Sequence, residues 1–283
     1  MDTAMDGKKK TRKRGAFAVT NESSASAAMP GLPPEVMRVD YVSAADGMSD
    51  WALLETPAKG DIWVVFIHGY GSTGDQLYTH AKLRKKWLPR FRAAGLGIVS
   101  VNLRGNVWVA PPTADDLHDL LNWLRKKHKA CRFMFFSGSM GGTSNLIYAT
   151  LYPDDCAAVA ALGASTDMAA HYACDIKFEK GTIQREIGEA IAKAYGGTPE
   201  ERPALYRRNS PLFNADRLTM PLYLAHGEKD ALLPVDEMRA LAAKLSTKSN
   251  VTYVEIPGGD HDSPCFYVPA MEWLLEKAEA FRS

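Results

Sequence analysis

The stretch FFSGSMGGTSN, Phe135 to Asn145, decides how this sequence folds. It follows Arg132, so an apolar run ends here in a cluster of small residues. The next residues, GGTSNLIYATLYP, have helical character until Pro153 stops them. A strand that runs straight into a helix leaves Ser139 on the turn between them. Two uses of such a turn are open. It is an ordinary glycine-rich connection, or it is a sharp bend that lifts Ser139 up as a nucleophile. A GxGxxG phosphate loop does not fit, because the glycines are Gly138, Gly141 and Gly142.

Outward from this turn the same rhythm repeats. The run DIWVVFIHGYG (61–71) is continuously apolar until it reaches His-Gly, as suits a strand buried on both faces of a parallel sheet. Residues 36–43, 50–57, 96–103, 132–137, 156–164, 220–225 and 251–256 complete a set of eight expected strands. Helical patterns fall at 77–95, 113–128, 140–152, 235–245 and the C-terminus. Strand–helix alternation of this kind predicts an α/β fold: a mostly parallel sheet of about eight strands flanked by helices. The stretch 165–211 breaks the rhythm. It contains GTIQREIGEAIAKAYGG (181–197), which reads as a helix, and predicts a small helical cap inserted over the strand ends.

The bulk values exclude several function classes. The chain has 283 residues, 46% hydrophobic and 24% charged, with a formal net charge of +1. No basic face marks a nucleic-acid binder. No apolar run approaches the ~20 residues that span a bilayer. The four cysteines form no CxxC pair, and no HEXXH pattern occurs, so no metal and no cofactor is expected. The basic run KKKTRKR (8–14) and the polar stretch after it lead to the expectation of a disordered tail over 1–32, with one domain over 33–283. GAFAV is too short for the apolar core of a secretory signal, so a cytoplasmic location is expected.

Ligands in open parallel sheets bind beyond the C-terminal ends of the strands. Four reactive places follow strands here: His-Gly-Tyr-Gly at 68–71, Ser139, Asp230 and His261. A serine hydroxyl needs an adjacent base to take its proton, and that base needs an orienting partner. Ser139 as nucleophile, His261 as general base and acid, and Asp230 as orienting carboxylate supply those parts. Glu228 is the rival acid of the Asp230 loop. Of the other histidines, His80, His118 and His128 fall in helical, charged stretches, His68 and His226 sit in His-Gly pairs at strand ends, and His171 lies in the cap segment without an assigned place.

The order Ser, Asp, His is that of the α/β-hydrolase fold, and from about residue 35 onward the chain resembles that superfamily. It looks most like the branch of stand-alone esterases and prolyl-oligopeptidase-like enzymes. The stretch RRNSPLFNADRLTMPLYLAHGEKDALLPVDE (207–237) and NLRG (102–105) carry the closer similarity. The resemblance implies an oxyanion hole from two backbone N–H groups, those of Tyr70 and Met140. It also implies a G-x-S-x-G elbow, whereas this chain has S-x-S-x-G-G, which leaves Ser137 as a rival nucleophile. Loop and cap aromatics, chiefly Trp108, Tyr172 and Phe266, are the candidate substrate contacts.

The expected function is hydrolysis of a small-molecule carboxylic ester through an acyl-enzyme. A short-peptide serine peptidase uses the same residues and stays open, although the chain has no room for the propeller such peptidases usually carry. Thioesterase and acyltransferase chemistry also stay open. A non-catalytic binding protein on this fold is the reading from another class, and an intact Ser, Asp, His set speaks against it.

Overall fold

The computed structural model describes residues 15–283. Nine strands form one sheet: β1 (Ala18–Ser24), β2 (Met37–Val42), β3 (Ser49–Glu55), β4 (Ile62–Ile67), β5 (Gly97–Val101), β6 (Arg132–Gly138), β7 (Cys156–Leu162), β8 (Leu222–Gly227) and β9 (Val251–Ile256). Their order across the sheet is β1-β2-β3-β5-β4-β6-β7-β8-β9. The first three pairings are antiparallel and the rest parallel.

The parallel strands alternate their apolar side chains between two cores. On β4, Trp63, Val65 and Ile67 face one core, and Ile62, Val64 and Phe66 face the other. Helices cover both faces. The first core takes α1 (Thr113–His128), α2 (Met140–Leu151) and, further along, α6 (Val235–Leu245). The second takes the short turns Gln76–Thr79, Ala81–Lys86 and Leu88–Ala93 together with α7 (Val268–Ala280). Between β7 and β8 the chain inserts α3 (Met168–Asp175), α4 (Ile183–Tyr195) and α5 (Pro203–Arg208). These lie inside the expected cap segment, 165–211.

Chain order reverses around β4. From β4 the chain goes first to β5 on one side and then to β6 on the other. That reversal opens a crevice above the C-terminal ends of β4 and β6. The loops that leave these strands carry Tyr70 and Ser139.

Two expectations need correction. The segment 1–32 is not a tail throughout. Residues 1–14 lie outside the described residues, but Ala18–Ser24 form edge strand β1, paired antiparallel with β2. Phe17 packs its ring 5.2 Å from that of Tyr41, and Ala25 is fully buried. The polar sequence AVTNESS suits an edge strand, whose residues are largely exposed. The single helix expected over 77–95 is three short turns. His80 takes an extended backbone (ψ 119°) between the first two, and Pro89 withholds the N–H that would continue the second.

Asp50 ties the antiparallel part to the parallel part. It is 6% exposed and accepts four hydrogen bonds, from Tyr41 Oη (3.2 Å), Trp51 N (2.8 Å), Asn102 Nδ2 (2.8 Å) and Arg104 N (2.8 Å). Asp50→Ala leaves those donors without their acceptor, and chemical denaturation is expected to show a loss of about 2–4 kcal/mol. A change within about 0.5 kcal/mol, the scale of an ordinary surface substitution, would contradict this role.

Candidate active site

Ser139 is held in a backbone conformation that few residues other than glycine adopt, φ 57° and ψ −127°. Such a conformation costs about 1–3 kcal/mol and persists where the surroundings over-determine it. Here they do. Ser139 N–H donates to Leu162 O at 2.8 Å, and Ser139 O accepts from Thr143 N at 2.9 Å. The glycines around it are required by space. A Cβ on Gly141 would stand 2.0 Å from the carbonyl oxygen of Ile67, and one on Gly138 would stand 2.5 Å from Cys265 Sγ. The helix after the bend thus rests directly on the end of β4.

Ser137 has a different part. It is 1% exposed, and its Oγ accepts the backbone N–H of Ile67 at 2.9 Å. The hydroxyl where the usual elbow has glycine closes a backbone donor at the end of β4. Both serines lie along the cavity described below, but the Ser139 hydroxyl meets His261 and the Ser137 hydroxyl is taken up by the Ile67 N–H as a strut.

The three residues that sequence reading placed together meet. His261 Nε2 lies 2.8 Å from Ser139 Oγ, and His261 Nδ1 lies 2.7 Å from Asp230 Oδ2. With a carboxylate at Nδ1, that nitrogen carries the proton and Nε2 faces the hydroxyl as acceptor. The loops of His261 and Asp230 are in backbone contact: a Cβ on Gly227 would stand 2.2 Å from Asp260 O. A turn in which Asp260 Oδ1 accepts from Ser263 N (3.0 Å) and Oγ (2.7 Å) braces the His261 loop.

Asp230 is 7% exposed. Burial pushes its carboxyl pKa up. Hydrogen bonds from His226 and His261, the charge of His261 and the Leu233 N–H outweigh that and hold it well below the usual carboxylate range. Its Oδ1 accepts from the N–H groups of Leu232 and Leu233, each at 2.9 Å. Glu228, the rival acid, instead accepts Gly258 N–H at 2.7 Å. His226 has a role that the sequence did not reveal. Its Nε2 donates to Leu233 O at 2.7 Å and stands 3.3 Å from Asp230 Oδ2.

Above these residues lies a cavity of about 310 Å³. Ser139, His261, Tyr70 and Met140 all line it. Met140 is the first residue of α2, where N–H groups have no partner within the helix. Of the expected aromatic contacts, Trp108 and Phe266 line the cavity. Tyr172 does not: it packs against the first core and meets Tyr206 edge to face, its ring centroid 6.3 Å away. It lies one residue after His171 on α3, so the cavity takes the histidine and the core takes the tyrosine. Trp108 stacks on Tyr70 at 5.8 Å. On the opposite wall Phe266 carries His80 stacked at 6.1 Å and Lys82 Nζ at 5.0 Å from its ring. Among the described residues no cluster of side chains has the make-up of a metal site, and no helix is long and apolar enough to cross a membrane.

Comparison with known proteins bears on the family and the fold. The BD-FAE family model matches residues 54–245, about two thirds of the chain. The chain belongs to the BD-FAE family, and its fold is that of the α/β-hydrolases. Esterase LipC of Mycobacterium tuberculosis (strain ATCC 25618 / H37Rv) is 32% identical over 66 residues, 23% of this chain and 16% of that protein. The match therefore spans only a small part of that relative. Among solved structures, the Staphylococcus aureus fluorophosphonate-binding serine hydrolase FphF superposes with a TM-score of 0.64 at 14% identity, over 86% of this chain and 98% of that one. The Pyrococcus furiosus esterase Pf2001 gives 0.63 at 15% identity, over 95% and 98%. A puromycin hydrolase gives 0.61 at 16% identity, over 89% of this chain but 45% of that one.

Two expectations follow from the site. Ser137→Ala leaves the Ile67 N–H unpaired in the core, and unfolding free energy is expected to fall by about 1–3 kcal/mol; an unchanged value would show that the hydroxyl is no strut. For Asp230 the sign follows from its depressed pKa. The stability it contributes is complete above its unfolded pKa of about 3.9 and is lost as pH falls toward the folded value. The stability advantage of wild type over Asp230→Asn is therefore expected to shrink as pH drops below about 4. An advantage that grew on acidification would contradict the assignment.

Proposed function

We propose that this protein is a serine hydrolase that cleaves carboxylic esters through an acyl-enzyme. The observation that carries the reading is the unbroken path Ser139 Oγ, His261 Nε2, His261 Nδ1, Asp230 Oδ2, with spacings of 2.8 and 2.7 Å, at the floor of a cavity.

The chemistry runs as follows. Ser139 Oγ attacks the ester carbonyl while His261 Nε2 takes its proton. Asp230, whose donors keep its carboxyl ionised well below the usual carboxylate range, stabilises the imidazolium and holds its orientation. The carbonyl oxygen becomes an oxyanion facing the N–H groups of Tyr70 and Met140. Such donors are each worth about 10²–10³ in rate. The tetrahedral adduct collapses, His261 returns the proton to the departing alkoxide, and an alcohol leaves. Water then repeats the sequence: His261 takes its proton, the hydroxide oxygen attacks the acyl carbon, and the acid departs as Ser139 regains its hydrogen. The insertion 165–211 acts as the cap of this site, since His171, Asp175, Ile183, Gln184 and Ile187 from it line the cavity.

A peptidase reading keeps the same steps with an amine leaving group. The chain's likeness to puromycin hydrolase covers less than half of that protein, whereas it covers nearly the whole of the Pyrococcus esterase. That balance favours esters.

Wild type and Ser139→Ala are compared on short and long p-nitrophenyl esters and on peptide p-nitroanilides. Ester turnover is expected in wild type, with a loss of at least about 10³ in the variant. Anilide turnover that matches or exceeds ester turnover would replace the ester reading with the peptidase one. Undiminished turnover in Ser139→Ala would remove Ser139 from its role.

A further inference from the structure

The loop after β4, which carries Tyr70, is held at several points by the loop after β5. Gly69, Tyr70, Gly71 and Ser72 form a turn: Ser72 N–H donates to Gly69 O at 3.2 Å, and Gly71 takes φ 75°, the pattern of a type II turn with glycine in third place. The N–H groups on either side of Tyr70 are tied down. Gly69 N–H donates to Gln76 Oε1 at 2.9 Å, and Gly71 N–H donates to Asn106 Oδ1 at 3.0 Å. Among the described residues the Tyr70 N–H between them has no acceptor. Two further contacts join the loops. His68, fully buried, places Nδ1 2.8 Å from Gly69 O and Nε2 3.0 Å from Asn102 O. Gly74 N–H donates to Asn102 Oδ1 at 3.3 Å, and a Cβ on Gly74 would stand 2.8 Å from Asn102 N.

The loop that does the holding is strained. Leu103, Arg104, Trp108 and Val109 have φ of 44°, 61°, 45° and 51°, a region that residues other than glycine seldom enter. Such strain persists where the surroundings over-determine it, and it gathers at functional sites. The surroundings here are Asp50, which accepts Arg104 N–H, and Asp46 and Asp116, which pair with the Arg104 guanidinium. Further along, Trp108 is 1% exposed and its carbonyl oxygen accepts Tyr195 Oη at 3.4 Å. Of this loop Trp108 lines the cavity and residues 102–107 do not. Those residues act on a ligand only through what they hold.

A backbone donor stabilises an oxyanion best when it is fixed in place before the charge forms. Resting on the ester-hydrolase reading above, we infer that Asn106 is a positioning residue: by holding Gly71 N–H it fixes the turn that aims Tyr70 N–H at the developing oxyanion. Asn106 is the contact whose part in this separates from its part in the fold. Asn102 also bonds Asp50, and Trp108 belongs to the first core. Asn106 is half-buried, and among the described residues its side chain bonds Gly71 alone. A Cβ on Gly71 would meet nothing within 4 Å, so no packing replaces that bond when it is removed.

The test compares wild type, Asn106→Ala and Asn106→Asp on a p-nitrophenyl ester and against a trifluoromethyl ketone, which adds reversibly to a serine hydroxyl as a tetrahedral oxyanion. Asn106→Ala is expected to lower kcat by about tenfold, the scale of one hydrogen bond, with KM unchanged. The inhibition constant of the ketone is expected to rise by the same factor, and the midpoint of thermal unfolding to stay in place. Asn106→Asp keeps an acceptor oxygen and is expected to restore most of the lost kcat. An unchanged kcat in Asn106→Ala, a loss carried by KM alone, or equal losses in the two variants would overturn the inference. A second arm follows amide hydrogen exchange by NMR. Gly71 N–H is expected to exchange faster in Asn106→Ala and to slow again in Asn106→Asp, while Gly69 N–H keeps its protection. If wild type hydrolyses no ester but exchange responds in this way, the ester reading falls and the hold on Gly71 stands. If wild type hydrolyses esters while kcat and exchange are both indifferent to Asn106, the inference falls and the ester reading stands.

Discussion

The contact between Gly141 and the carbonyl oxygen of Ile67 is the constraint on which the rest depends. An added Cβ would come within 2.0 Å of that oxygen, so the start of α2 and the end of β4 can approach this closely only through a bare backbone. The approach forces the chain between β6 and α2 to turn within one residue, and Ser139 takes up the turn at φ 57°. The same closeness brings the β4 loop, with Tyr70, to the side of the cavity where Ser139 stands. A side chain at position 141 would separate the two loops. The strain at Ser139 and the close packing beneath it are thus one arrangement, and the Ser137 hydroxyl fastens it by closing the Ile67 N–H.

A second close approach does comparable work for Asp230 and His261. Gly227 lets the loops of Asp230 and His261 touch through backbone. A buried carboxylate would ordinarily resist ionisation. Asp230 keeps its charge because two backbone N–H groups, His226 and His261 all point at it. The sheet therefore fixes Ser139 and Asp230 by different means: backbone strain at the serine, and a closed set of donors at the aspartate.

Much of this was legible in the sequence. Continuous apolar runs such as 61–67 and 132–137 suit strands covered on both faces, and their ends pointed to Ser139 and to the loop of Tyr70. Asp230 and His261 were legible because each follows a strand in the order that the chemistry needs. What was hidden was set by packing. Edge strand β1 has a polar sequence because one side of it meets water. Tyr172 and His171 are neighbours on one helix, and only the helix's rotation decides which enters the cavity. The strut at Ser137 carries no local signal, since its partner, the Ile67 N–H, lies 70 residues away, and His226 meets Leu233 and Asp230 only through the turn that follows β8.

The central claim is that Ser139 is the activated nucleophile of this site. The most direct measurement is to treat the protein with a fluorophosphonate and locate the adduct by peptide mass spectrometry, with His261→Ala as the control. The account predicts a single adduct on Ser139 that forms far more slowly when His261 is absent. Labelling of Ser137, or labelling of Ser139 at an undiminished rate without His261, would contradict it.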